Sequence, residues 1–191
     1  MSAALALLQQ RHSVPSRQLG EPAPDEASLH ALLEAAIRVP DHGKLVPFRL
    51  IRLQDEAKLR FGEQLAALAI RNDPELSDAK LEKERLRYTF APLVMVVVAC
   101  LHEDSKVPEI EQKLCAGNVA YNLLLGAHAL GYVAGWVTGW YTYSERVSHA
   151  FCRPGERIAG FIFIGHPSRE LEERPRATLP DVWRPWAPPG H

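Results

Sequence analysis

The chain has 191 residues, 47% apolar and 24% charged, the profile of an ordinary globular protein of single-domain length. Its 22 basic and 23 acidic residues leave a formal net charge of -1, so nothing electrostatic favours nucleic acid or an anionic membrane as a partner. Cys100, Cys115 and Cys152 are widely spaced and lack CxxC spacing, which argues against a disulfide framework and a zinc site and leaves reduced thiols.

The opening Met1-Ser2-Ala3-Ala4-Leu5 lacks the basic and long apolar regions of a secretion signal. The longest apolar run, Leu93 to Leu101, is far short of the ~20 residues that span a bilayer. A cytoplasmic protein is expected.

In chain order, Ser2 caps a short helix carrying Leu5, Leu7 and Leu8, and Pro15, Pro22 and Pro24 then break the chain into a loop. Asp25 caps a second helix, whose Leu29, Leu32, Leu33, Ala36 and Ile37 follow the spacing of one buried face. Pro40 ends it, because a residue before proline disfavours the α region. Phe48 to Leu53 reads as a strand, 55–71 as a helix, and 77–88 as a charged helix stopped by Ala91-Pro92.

Leu93 to Ala99 is almost uniformly apolar and β-branched, the signature of a central strand buried on both faces. Pro108 starts the longest helix, about 34 Å if it runs to Leu130. Its apolar face is read as Leu114, Ala120, Leu123, Leu124, Ala127 and Leu130, with Gly131 as C-terminal cap. Strands at 132–137 and 157–165 follow, separated by a helix at 144–151.

Residues 166–191 are rich in proline and charge but carry Leu179, Val182, Trp183 and Trp186, so this arm is expected to pack on the body or on a partner subunit. The mixed, non-alternating elements predict a single α+β domain over 1–191. The glycine fingerprints of Rossmann and P-loop nucleotide sites are missing.

Three segments carry the chemistry. Arg11-His12-Ser13 follows the first helix and offers a guanidinium and a hydroxyl, the donors a phosphate needs; it also reads as a simple helix end. Pro40-Asp41-His42-Gly43-Lys44 forms a glycine-containing loop that suits the polar edge of a flat heterocycle, or an ordinary capping turn. Gly131 to Gly139 is glycine-rich, with Trp136 for ring packing and Thr138 for a hydrogen bond, or else a tight core strand. No histidine pair has metal-ligand spacing, and no metal site is expected.

Together these segments resemble the nitroreductase superfamily, particularly its small bacterial FMN-dependent NAD(P)H nitroreductase branch. The resemblance runs through Arg11-His12-Ser13, Glu21 to Pro24, Ala35 to His42, Pro47-Phe48, Ala91-Pro92-Leu93, Lys106-Val107-Pro108, the long helix to Gly131, Gly135-Trp136 and Ile158 to Gly165. It implies an α+β fold with a central, mainly antiparallel sheet flanked by helices, in an intertwined homodimer with FMN at the subunit interface. It also implies that the 166–191 arm packs on the partner subunit. The implied activity passes hydride from NAD(P)H through FMN to a nitroaromatic, quinone or similar small-molecule acceptor. Alternatives are another flavin reaction, such as reductive dehalogenation or flavin cleavage, and a non-catalytic flavin-binding module.

By the same resemblance, Arg11, His12 and Ser13 match phosphate and ribityl contacts, and Arg38 and His42 match flavin contacts. Trp136, Val137 and Thr138 match a second flavin stretch. Gly126, Ala127, His128, Ala129, Leu130 and Gly131 match a segment associated with the pyridine nucleotide. Two departures stand out. Leu45-Val46-Pro47-Phe48 replaces a Ser/Asn-rich loop with Gln-Pro-Trp, and Val137 occupies a position that is often basic. Arg176 is expected to supply the missing cation.

Overall fold

The computed structural model describes residues 2–187, so residues 188–191 of the expected arm lie outside the described residues. Helix α1 (Ala3–Gln10) begins where the Ser2 hydroxyl accepts the Leu5 N–H at 3.4 Å. A two-residue strand, β1 (Leu19–Gly20), sits in what reads as a proline-broken loop. Helix α2 (Glu26–Ala36) starts at Asp25, whose carboxylate accepts the Ser28 N–H at 2.7 Å.

Then come β2 (Phe48–Leu53), α3 (Asp55–Asn72) and α4 (Asp78–Arg85), the last shorter than the expected 77–88 because residues 86–89 tighten into turns. Strand β3 (Leu93–Cys100), the long helix α5 (Glu109–Ala129) and β4 (Val133–Val137) follow, with Gly131 at φ 85 beyond the end of α5, as a C-terminal cap requires.

Helix α6 (Glu145–Ser148) is half of the expected 144–151 span. Beyond Ser148 the N–H groups of Ala150 and Phe151 reach back only three residues, and the Arg49 guanidinium takes the Phe151 carbonyl. The cation satisfies a carbonyl that has no helical partner. Strand β5 (Glu156–Pro167) and a single turn, α7 (Leu179–Val182), complete the chain.

Every ladder in the sheet is antiparallel. β3 lies between β2 and β5, and β5 also pairs with β4 and, at its end, with β1. The uniform apolarity of β3 follows from this position. Val94, Val96 and Val98 point into an aromatic layer with Phe61 of α3, Tyr88, Tyr141, Phe161 and Phe163. Leu93, Met95 and Val97 point the other way, against Leu29 and Leu32 of α2 and Leu123 and Leu124 of α5. Each fully buried side chain of this size contributes about 1.5–3 kcal/mol.

Helix α5 corrects one expectation. Ala120, Leu123, Leu124 and Ala127 are buried, but Leu114 is 59% and Leu130 42% exposed. Leu114 belongs instead to an outer stripe with Ile110 and Tyr121, at helical spacings of four and seven, which faces away from the sheet. Leu179, Val182, Trp183 and Trp186 are likewise exposed, so the arm's tryptophans do not pack on their own body. Among the described residues no helix is long and apolar enough to cross a membrane.

Candidate functional site

The segment after α1 leaves the helix and runs beside β4. Val14 N–H donates to the Ala134 carbonyl at 2.9 Å, and Ser13 forms a parallel bridge with Ala134. A Cβ at Gly135 would stand 2.3 Å from the Val14 carbonyl oxygen, so the bare backbone at 135 is what admits this approach. Two segments far apart in sequence, Arg11-His12-Ser13 and Trp136-Val137-Thr138, thus share one sheet edge.

Charge collects at this edge. Arg11 Nη1 donates to Ser13 Oγ at 3.1 Å, and Arg176 Nη2 donates to the Arg11 carbonyl at 3.3 Å. The Glu173 carboxylate bridges an imidazole and a guanidinium: Oε2 is 2.7 Å from His12 Nε2, and Oε1 accepts from Arg176 Nε at 2.9 Å. Those two contacts, Arg176 first, hold Glu173 below the usual carboxylate range. His128, in the last turn of α5, completes the group: burial, then the charges of His12 and Arg11, push its imidazole below its ordinary value.

Arg11, His12, Ser13 and the β4 residues are therefore brought together, and Arg176 reaches the Arg11 carbonyl beside them. The 126–131 segment splits. Gly126 packs tightly on Leu32, Ala127 is buried and Gly131 caps the helix, while His128 faces the cationic group.

Arg38 and His42 are elsewhere. Asn122 Nδ2 donates to the Ala36 and Arg38 carbonyls at 3.2 Å each, strapping the end of α2 to the middle of α5. His42 Nδ1 lies 2.7 Å from Glu111 Oε2, in the first turn of α5. At 1.5 Å per residue, the stretch from 111 to 128 is about 26 Å long. One chain does not bring His42 to Arg11.

The His42 loop is backbone-strained. Lys44 (φ 54) and Val46 (φ 49) both adopt left-handed conformations, uncommon for any side chain and a marked outlier for a β-branched one. Asp41 sustains the loop by accepting from Leu45 N–H at 3.1 Å and Val46 N–H at 2.8 Å. Val46 is 56% exposed, so the strain does not serve core packing.

A cavity of about 850 Å3 opens beyond Trp136, between α5 and the loop after β4. Trp136, Gly117, Tyr143, Cys152, Arg157 and Ala159 line it. Its thiol is not set up for attack: burial pushes Cys152 up, and burial pushes nearby Cys100 up to about 11. Glu156, at its floor, is spoken for by Arg49, whose hydrogen bonds hold that carboxyl down at about 2. No metal-binding cluster occurs among the described residues. The residues that sequence reading missed, Glu173, Tyr143 and Arg157, have no motif around them; only the fold places them here.

Comparison with known proteins agrees with this architecture. The Nitroreductase family model matches residues 8–166. The Escherichia coli protein YdjA, provisionally named an NAD(P)H nitroreductase, is 35% identical over 179 residues, covering 93% of this chain and 94% of its own. A nitroreductase-like family protein from Bacillus cereus superposes with a TM-score of 0.79 at 18% identity, covering 97% of each chain. A provisionally assigned nitroreductase from Desulfovibrio desulfuricans, solved in complex with FMN, gives 0.74 at 19%, covering 98% of this chain and 99% of that one. With the family match spanning the whole sheet and the edge that gathers Arg11 to Ser13, the chain belongs to the nitroreductase family.

Proposed function

We propose that this chain is an FMN-dependent oxidoreductase that transfers electrons from NADH or NADPH to a nitroaromatic, quinone or similar small acceptor. The observation that carries the reading is the convergence of Arg11, His12, His128 and Arg176 at the edge that also holds Trp136-Val137-Thr138. A flavin mononucleotide joins a phosphate of about -2 charge to a flat ring, and this edge offers cations at one end and an indole with open backbone at the other. The residues fit an anion, because the Glu173 carboxylate already sits between two of them.

When bound, FMN supplies the redox chemistry, as such cofactors do generally. The chain's own residues bind and orient. Arg11 and Arg176 grip phosphate oxygens, the Ser13 hydroxyl adds a third contact, and Trp136 presents a flat surface. In this reading His128 serves the phosphate and not the nicotinamide.

The other half of the site comes from a second copy. His42 lies too far along α5 to meet the same flavin as Arg11, whereas a partner's loop can. The exposed Ile110, Leu114 and Tyr121 stripe and the bare Trp183 and Trp186 of the arm supply apolar surface for such a homodimer.

Purified protein is expected to be yellow and to bleach on anaerobic addition of NADH or NADPH. Arg11→Ala with Ser13→Ala should lose FMN and keep its helix content. Colourless protein that cannot be reconstituted with FMN would sink the proposal, and bound flavin without turnover would reduce it to a binding module.

A further inference from the structure

We propose that the cavity beyond Trp136 is an acceptor site selective for aromatic compounds bearing a negative charge, with Arg157 as the specificity-determining residue. The inference rests on the flavin reading above and adds the class of acceptor to it.

The first observation is a fixed aromatic platform. Trp136 Nε1 donates to the Ala159 carbonyl at 3.2 Å. A Cβ at Gly160 would lie 2.0 Å from that same nitrogen, so the indole lies flat on β5 only because residue 160 has no side chain. Gly117 of α5 approaches the far end of the ring, where a Cβ would stand 3.8 Å from it. The indole is thus held in one orientation and remains 39% exposed, towards the cavity. Tyr143, 78% exposed, also lines the cavity. A planar ring seated against such aromatic side chains gains offset-stacked or edge contacts.

The second observation is an unbalanced charge. Two acids line the cavity, Glu145 and Glu156, and Glu156 is already neutralised by Arg49. Against them stand Lys113, Arg153 and Arg157. Lys113 pairs with Glu109, and Arg157 also lies near enough to help lower that carboxyl after Lys113. Two cations therefore share one carboxylate. The only hydrogen bond from the Arg157 guanidinium among the described residues goes to the Glu156 backbone carbonyl, at 2.9 Å. Neither Arg153 nor Arg157 has a carboxylate partner within ion-pair distance among the described residues, so the wall keeps a surplus of positive charge over Glu145. Guanidinium groups recognise carboxylates, sulfonates and nitro oxygens through paired N–H donors.

The third observation is position. Gly117 lies about 16 Å along α5 from His128, so the cavity is on the far side of Trp136 from the phosphate-binding cations. A ring seated there adjoins the flavin edge without competing for the phosphate end. For a nitro acceptor the reaction consumes one NAD(P)H and one proton. The nitro group takes two electrons as hydride equivalent, an N–O bond breaks, and the products are the nitroso compound, water and NAD(P)+.

The test compares 4-nitrobenzoate with 4-nitrobenzyl alcohol, a neutral relative carrying the same nitro group. The ratio of their kcat/KM values at low salt is expected to favour the benzoate by about tenfold. It should fall to about one in Arg157→Gln, invert in Arg157→Glu, and shrink in about 0.5 M salt. The change should appear in KM for the benzoate. Calorimetric titration of the oxidised holoenzyme with 4-nitrobenzoate, without electron donor, should show the same loss of binding in Arg157→Glu. A wild-type ratio of one, or a ratio unmoved by Arg157→Gln, overturns the proposal. Loss of flavin absorbance in Arg157→Gln also overturns it, because the cavity would then be holding the cofactor. A wild-type protein that never takes up FMN instead defeats the flavin reading, and titration of that protein with the two compounds still tests the cavity.

Discussion

The two ends of α5 solve opposite electrostatic problems. Beside its last turn, the guanidiniums of Arg11 and Arg176 lie together with one carboxylate, Glu173, so positive charge is concentrated and only partly answered. At its first turn, a single imidazole, His42, meets a single carboxylate, Glu111, at 2.7 Å, so the pair is locally complete. The first arrangement is poised for an added anion. The second holds one side chain in place next to a strained, exposed loop. About 26 Å of helix separates them, so in the proposed reading each chain carries two half-sites.

The largest expected effect comes from pitting one end against the other. A chain carrying Arg11→Ala with Arg176→Ala should lose FMN affinity by at least about a hundredfold, as removal of two charge-assisted contacts implies. Co-expressed with a His42→Ala chain, it should regain flavin and turnover. In the mixed dimer one site then combines the intact cationic end of one chain with the intact loop of the other. If both halves served the same chain, every site in the mixture would be damaged and nothing would be restored.

Next is Gly135→Ala. A Cβ there meets the Val14 carbonyl and must push the Arg11 to Ser13 segment off β4. Destabilisation of about 1–3 kcal/mol is expected, together with at least tenfold weaker FMN binding. Denaturant melts and flavin titration measure the two losses. His42 geometry, at the other end, should be untouched.

The third effect is in pH. His128 is held below its ordinary value, so it is neutral in the free protein near pH 7. A bound phosphate favours the imidazolium, which raises the value in the complex and draws in a proton. FMN affinity should therefore rise as pH falls from about 8 to about 6.5, by severalfold. Below about pH 6 the phosphate itself begins to lose charge and the gain stops. His128→Gln should flatten the slope; an equal slope in that variant would remove His128 from the site.

The smallest effect expected is from Glu173→Gln. Removing the competing negative charge while keeping an acceptor for His12 and Arg176 should tighten FMN severalfold. Weaker binding would mean that Glu173 positions the cations more than it opposes the phosphate.

Much of the frame was readable from sequence because it rests on local rules. Ser2 and Asp25 cap helices with the side-chain bonds their types predict, and the two-sided apolarity of Leu93 to Ala99 marks a strand with a partner on each edge and a core on each face. Helix α6 is shorter than its sequence suggests because the N–H groups of Ala150 and Phe151 reach back only three residues, and a distant guanidinium, Arg49, takes the Phe151 carbonyl beyond it. Leu114 was assigned to the core on periodicity, but the helix carries two apolar stripes and only one faces the sheet. The site followed the same division. Arg11 and Ser13 stand out as phosphate-type donors and Arg176 is implied only by the family resemblance, whereas Glu173 meets His12 across 161 positions of sequence and no pattern announces such a contact.

The place of β5 has a consequence for synthesis. It is the last long strand to be made, yet β3, β4 and β1 all depend on it for pairing. β2 and β3 can zip together early, but one edge of β3 stays open until residues 156–164 have left the ribosome, and β4 has no ladder at all until then. That open edge is the most apolar segment of the chain. The nascent protein thus carries a sticky, half-built sheet from the making of β3 until β5 is available, and crowding or slow translation just before Glu156 is where self-association would begin.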